Sequence, residues 1–287
     1  MSMMEEVEQE QQKCRREIKI PVNGVELYCI ISGDGPTPVL FLPGAATPTV
    51  LSFPFQLEYF GKSGSGYTVI SFDPRGYGYS HEVPRTFSVA PEHHTKVDAR
   101  DAYEIMKYLG YEKYLVVGWC GGGLTAMYLA SLFPDAVQGM ITWGSRIHYS
   151  ERDLEVSESM RDIIKGLSEH PEACKKFIEI YGSENTLQTL WGRFTDSVLE
   201  TYEYVKDKNG MLCSDELSQI KCPTVILHGE NDHMTTLDQA KLVKDLIPGS
   251  QLVLIEEGAH IMQITTPDKF NSAVDGYLKE MMANKEK

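Results

Sequence analysis

Between a short apolar run, YLVVGW at residues 114–119, and a helical pattern that stops at Pro134 lies Gly118-Trp119-Cys120-Gly121-Gly122. A G-x-nucleophile-x-G pentapeptide in that position is the sequence form of a nucleophile elbow, a sharp strand-to-helix turn. It commits the chain to strand–turn–helix units. Such units, repeated, build a layered α/β domain around a parallel sheet. At the elbow, the small residues Gly118 and Gly122 let strand and helix approach. Cys120 is held at the helix N-terminus, where the dipole favours an anion. A thiolate gains more from that placement than a hydroxyl, because it can be an anion before any reaction begins.

The rest of the sequence repeats the pattern. Val25–Ile31, Pro38–Leu42, Tyr67–Phe72, Tyr114–Trp119, Gly139–Trp143, Thr224–Leu227 and Gln251–Ile255 are nearly continuous in apolar residues, as strands covered on both faces are. Between them, Ala102, Ile105, Met106 and Leu109 recur at helical spacing before Gly110. Thr236 and Gln239 suggest a capping box. Phe270, Ala273, Val274, Tyr277, Leu278 and Met281 form one stripe of a C-terminal helix. Residues 147–217 break the rhythm, being helical, aromatic and charged. The expected organisation is a polar, flexible tail over 1–17, an α/β core from 18–146 and 218–287, and a helical cap at 147–217 over the strand ends. Ligands bind at the carboxyl ends of such strands.

Within that frame His260, in Gly258-Ala259-His260 after the last strand, is the expected base. Asp232, in His228-Gly229-Glu230-Asn231-Asp232, is the expected acid, with Glu230 as the alternative. Backbone N–H groups of Gly121 and Ala45 are the expected oxyanion donors, with Gly44 letting the chain turn before Ala45. Trp119, Trp143 and Trp191 are candidates for pocket lining. His93-His94 with Asp98 lacks a further ligand and reads as a solvated segment, not a metal site. Asp73-Pro74-Arg75-Gly76-Tyr77-Gly78 lacks the third glycine of a dinucleotide fingerprint and reads as turn structure.

The net charge of −14 disfavours nucleic acid and anionic lipid as partners. No apolar run is long enough to span a bilayer, and residues 1–17 lack a secretory h-region, so the expected location is cytoplasmic. The six cysteines, Cys14, Cys29, Cys120, Cys174, Cys213 and Cys222, are scattered without metal-ligand spacing and read as reduced thiols. Cys120 alone sits in a chemical motif. It is either a working cysteine nucleophile, a replacement for serine in a weakened esterase, or a non-catalytic residue.

NGVELYC, VLFLPGA, DPRGYGYS, VVGWCGGGLTA, ITWGS, CPTVILHGEND and EEGAH together resemble the α/β-hydrolase superfamily, most closely the biphenyl-hydrolase-like (valacyclovir hydrolase) branch, over about residues 22–278. The resemblance implies a mostly parallel sheet flanked by helices, no cofactor, and hydrolysis of small esters, α-amino-acid esters included. Two positions depart from it. Cys120 stands where serine is expected. Gly121 stands where the amino-acid-ester hydrolases carry the aspartate that receives the substrate ammonium. A cysteine triad on this fold also resembles dienelactone hydrolases. The expected substrate is therefore a small ester, thioester or lactone. A ligand-binding receptor, or a C–C hydrolase or lyase on the same fold, is the alternative, and the oligomeric state is not specified.

Overall fold

The computed structural model describes residues 15–283. Eight strands form one sheet: β1 (Arg15–Val22), β2 (Val25–Ser32), β3 (Thr37–Leu42), β4 (Tyr67–Phe72), β5 (Tyr114–Trp119), β6 (Val137–Trp143), β7 (Thr224–Gly229) and β8 (Gln251–Ile255). Their order is β1-β2-β4-β3-β5-β6-β7-β8. β1 and β2 pair antiparallel, as do β2 and β4, and every other pairing is parallel. After β3 the chain adds β4 on one side, then crosses to add β5 on the other. The neighbouring carboxyl ends of β3 and β5 are thus the topological switch point, where a crevice opens in sheets of this kind.

Alternation along each strand feeds two cores. Leu40, Leu42 and Val116 pack on one face against Ile105 and Met106 of α2 (His94–Tyr108) and Met127 of α3 (Gly121–Leu132). Val39, Phe41 and Val117 pack on the other against Phe60 of α1 (Pro54–Gly61) and Phe270 and Val274 of α8 (Pro267–Ala283). Covered on both faces, these strands carry no polar stripe, which is why they read as continuous apolar runs.

Of the tail expected over 1–17, residues 15–17 belong to β1, which begins at Arg15; residues 1–14, Cys14 among them, lie outside the described residues. β1 is an edge strand with only Ile20 and Val22 buried, so its charged sequence carries little strand signal. Between β6 and β7 the chain is mainly helical, including α4 (Glu151–Ser159), α5 (Pro171–Tyr181) and α6 (Glu184–Val205). Gln239 at the start of α7 (Leu237–Leu246) does not complete a capping box. Its Oε1 accepts from the backbone N–H groups of Ile147 and His148 and its Nε2 donates to the His148 carbonyl, fastening the entry of this helical segment. Among the described residues no helix is long and apolar enough to cross a membrane.

Candidate active site

Cys120 closes β5 with φ 53° and ψ −118°, a backbone conformation a non-glycine residue rarely adopts. Its N–H donates to the Trp143 carbonyl at 2.9 Å, and its carbonyl accepts from Gly123 and Leu124 in the first turn of α3. The glycines around it are steric necessities. A Cβ on Gly122 would strike the carbonyls of Leu42 and Pro43, and one on Gly118 would fall 2.6 Å from the Gly122 carbonyl oxygen. The strained turn therefore persists because neighbouring backbone over-determines it.

His260 is brought beside this turn by the loop after β8. Its own carbonyl accepts from Trp119 Nε1 at 2.9 Å, and its ring lies over Gly144, where a Cβ would come within 2.8 Å of Cε1. Nδ1 meets Asp232 Oδ2 at 2.9 Å. The other carboxylate oxygen of Asp232 accepts from the N–H groups of Met234 and Thr235 at 2.9 and 2.8 Å. Asp232 can therefore only accept at Nδ1, which leaves Nε2 to face chemistry. Glu230, the alternative acid, is exposed and makes no such contact. Nε2 is buried without a partner of full hydrogen-bond geometry, and the group coupled to it is the Cys120 thiol. Such contacts commonly tighten when substrate binds.

The charges of this pair favour transfer of the thiol proton to the ring. Burial pushes the Cys120 thiol up, but interaction with His260, the charge of Arg146 and the Gly121 N–H together hold it below its ordinary value. Burial likewise opposes the His260 imidazolium, yet Asp232 and Cys120 raise it to about 9. Asp232 is also pressed upward by burial, but His260 and the two backbone N–H bonds keep it below the usual carboxylate range. Both shifts run in the direction of a thiolate–imidazolium pair.

Gly121 and Ala45 face one another: the position of a Cβ on Gly121 falls 3.3 Å from the Ala45 nitrogen. Gly44 does not serve as a flexible turn. The Trp119 ring lies where its Cβ would be, 2.7 Å away, and the positive φ of this loop belongs to Ala46, at 52°. The loop is held from two directions. Asp73, in the segment read as turn structure, accepts from Thr49 N and Tyr79 N at 2.6 and 2.7 Å, and Tyr181 Oη donates to the Ala46 carbonyl while accepting from Gly78 N, both at 2.9 Å.

A narrow cavity, about 50 Å³, opens beside Gly121 and Ala45. Phe194, Val198 and Thr201 of α6 roof it, and Tyr77, Arg85 and His93 form a wall. The three tryptophans do not line it. Trp143 is in the core, between Phe53 and Phe270. Trp119 supports the His260 and Ala45 loops, and Trp191 donates to the Met160 carbonyl behind Phe194. His93 and His94 are also not solvated: they are 5% and 7% exposed, and Asp98 is bound through both oxygens by Arg85 at 2.8 Å. Their polarity concealed this burial in the sequence, as did the separation of Arg85 from α2.

Residues 37–267 match the α/β-hydrolase fold family. The chain is 32% identical to the mouse (Mus musculus) and human (Homo sapiens) proteins named serine hydrolase BPHL, each over 262 residues, covering 91% of this chain and 86% of the relative. Among solved structures it is similar to Est816, described as an N-acyl homoserine lactone degrading enzyme, at 25% identity and a TM-score of 0.67, covering 91% of this chain and 100% of that one.

Proposed function

The chain belongs to the α/β-hydrolase family, in the branch of serine hydrolase BPHL, and from that we propose that it hydrolyses small carboxylic esters, thioesters or lactones with Cys120 as nucleophile, His260 as base and acid, and Asp232 as the group that orients His260. The observation that carries the reading is the strained elbow that holds Cys120 at φ 53°, together with the 2.9 Å contact by which Asp232 fixes Nδ1 of His260. The curated relatives are named serine hydrolases, so cysteine at 120 is the feature that sets this chain's chemistry apart.

In the proposed reaction the Cys120 thiolate attacks the carbonyl carbon. The carbonyl electron pair moves to oxygen, where the N–H groups of Gly121 and Ala45 receive the oxyanion. Its collapse breaks the bond to the leaving oxygen or sulfur, which takes a proton from the His260 imidazolium. Neutral His260 then removes a proton from water, the resulting hydroxide attacks the thioester, and Cys120 departs as thiolate. The helices between β6 and β7 act as the cap, excluding bulk water from the cavity roofed by α6.

A panel of p-nitrophenyl esters tests this. The expected result is a burst of nitrophenol followed by turnover, abolished in Cys120→Ala and by prior alkylation of Cys120 with iodoacetamide. No burst, no turnover and an unreactive thiol contradict it. So does a Cys120→Ser variant that is far faster than the native protein, because the site would then be built for serine.

A further inference from the structure

Three side chains on one wall of the cavity each leave a buried polar atom without a partner of full hydrogen-bond geometry: Tyr77 Oη, Arg85 Nε and His93 Nε2. Tyr77 is 3% exposed, His93 5%, and the Arg85 side chain 5%. Each can donate; the Tyr77 oxygen also accepts, from the Arg85 guanidinium against its ring and from the Ala46 N–H, which leaves the hydroxyl proton free to be given to a ligand. We assign the ring proton of His93 to Nε2: Nδ1 then accepts from Thr95 N at 3.4 Å, as the N-cap of α2, and from the Thr95 hydroxyl at 2.7 Å. Burial, with the charges of His94, Arg85 and Lys96, keeps that ring neutral. Burial pushes the Tyr77 phenol up to about 12, so it stays protonated. Arg85 gives Nη1 and Nη2 to Asp98 and Nη1 also to the Arg75 carbonyl, which leaves Nε over.

Apart from the Tyr77 oxygen, which faces Arg85, these three side chains offer no acceptor to one another's donors. Both Asp98 oxygens are taken by Arg85, and Gly121 contributes no side chain. A buried donor without a partner is costly, and sites that keep such donors discriminate strongly for a ligand that satisfies them. An ammonium would find no carboxylate free. The charge of Arg85 is already balanced by Asp98 and both histidines are neutral, so a second carboxylate would enter without a counter-charge.

We propose that Tyr77, Arg85 and His93 form an acyl subsite that selects short acyl groups carrying an uncharged oxygen acceptor, such as a ketone or ring-ester carbonyl, in place of an ammonium. This assignment rests on the hydrolase reading above. Tyr77 and its neighbours position the acyl chain while Cys120 reacts with the ester carbonyl. The cavity volume of about 50 Å³ restricts the group to a few heavy atoms.

The test compares p-nitrophenyl pentanoate, 4-oxopentanoate and hemiglutarate as apolar, acceptor and anionic acyl groups. The oxo ester is expected to exceed the pentanoate in kcat/KM by about tenfold or more, mostly through KM, with the hemiglutarate at or below the pentanoate. In Tyr77→Phe, and in His93→Asn, which keeps the N-cap acceptor but removes the Nε2 donor, the oxo-to-alkyl ratio should collapse to within about twofold. Tyr77→Phe should melt at most about 2–4 °C below the native protein, because the hydroxyl gives up only its contacts to Arg85 and the Ala46 N–H, so a lost acyl preference is not a lost fold. An unchanged ratio in both variants, a native ratio near one, or a preference for the hemiglutarate overturns the subsite. If no ester is turned over and Cys120 is never acylated, the reaction reading falls. The subsite is then judged by NMR binding of methyl 4-oxopentanoate against methyl pentanoate: at least fivefold tighter binding of the oxo compound sustains it, and equal binding refutes it.

Discussion

At Cys120 the backbone is held at φ 53° with the sulfur coupled to a histidine raised to about 9, and the pH dependence of the proposed reaction follows from that pair. Below the depressed thiol pKa the nucleophile is protonated; above about 9 the imidazolium that protonates the leaving group is lost. The pH profile of kcat/KM should therefore be bell-shaped, with its alkaline limb near 9. In Cys120→Ser no thiolate exists and the ring must start neutral, so activity should rise with pH through the histidine and show no loss near 9; stopped assays across pH on both proteins check this. Asp232→Asn should lower kcat/KM by about 10³–10⁴-fold with little change in melting temperature, because an amide no longer dictates which ring nitrogen holds the proton. The residues proposed to react could be singled out in the sequence: Cys120, His260 and Asp232 each follow a strand and occur in the order such a site requires, and the structure pairs His260 with Asp232. The wall of Tyr77, Arg85 and His93 could not be. Its residues are spread between β4 and α2, and nothing in one-dimensional spacing announces that they are buried around a common space.

At the level of elements, the elbow and the helical segment after β6 depend on contacts that can be broken singly. Gly122→Ala places a methyl against the backbone carbonyls of Leu42 and Pro43, which cannot move without parting β3 from α3. A loss of about 1–3 kcal/mol or more is expected in urea unfolding, together with reduced acylation of Cys120. Tyr181→Phe removes the hydroxyl that joins the Ala46 carbonyl to the Gly78 N–H. Both groups are left buried, so stability should fall by about 1–3 kcal/mol, and kcat/KM should fall with it because Ala45 is the adjacent proposed oxyanion donor. Strands such as Tyr67–Phe72 and Tyr114–Trp119 could be delimited from sequence because burial on both faces makes them uniformly apolar. The capping box at Thr236 could not be distinguished from the actual use of Gln239, since the same amide serves either purpose and only the arrival of Ile147 and His148 decides it.

For the molecule as a whole, the sheet order brings the ends of β3, β5, β7 and β8 to one side, so four segments distant in sequence supply the Ala45 loop, the Cys120 thiol, the Asp232 carboxylate and the His260 imidazole. Arg85–Asp98 joins the segment after β4 to α2 with both side chains about 5% exposed. Asp98→Ala should cost about 3–5 kcal/mol, because it abandons a buried guanidinium, and the chemical denaturation midpoint measures it. The account stands most directly on whether an acyl group is ever carried by sulfur. Acid-quenched protein, taken within the burst with p-nitrophenyl acetate and analysed by intact mass and peptide mapping, reads this out. One acetyl group on the peptide containing Cys120, absent from Cys120→Ala and accumulating in His260→Gln if attack on the intermediate is slowed more than its formation, is the expected result. Ester turnover by native protein with no acyl group on Cys120 at any quench time, undiminished in Cys120→Ala, would contradict it.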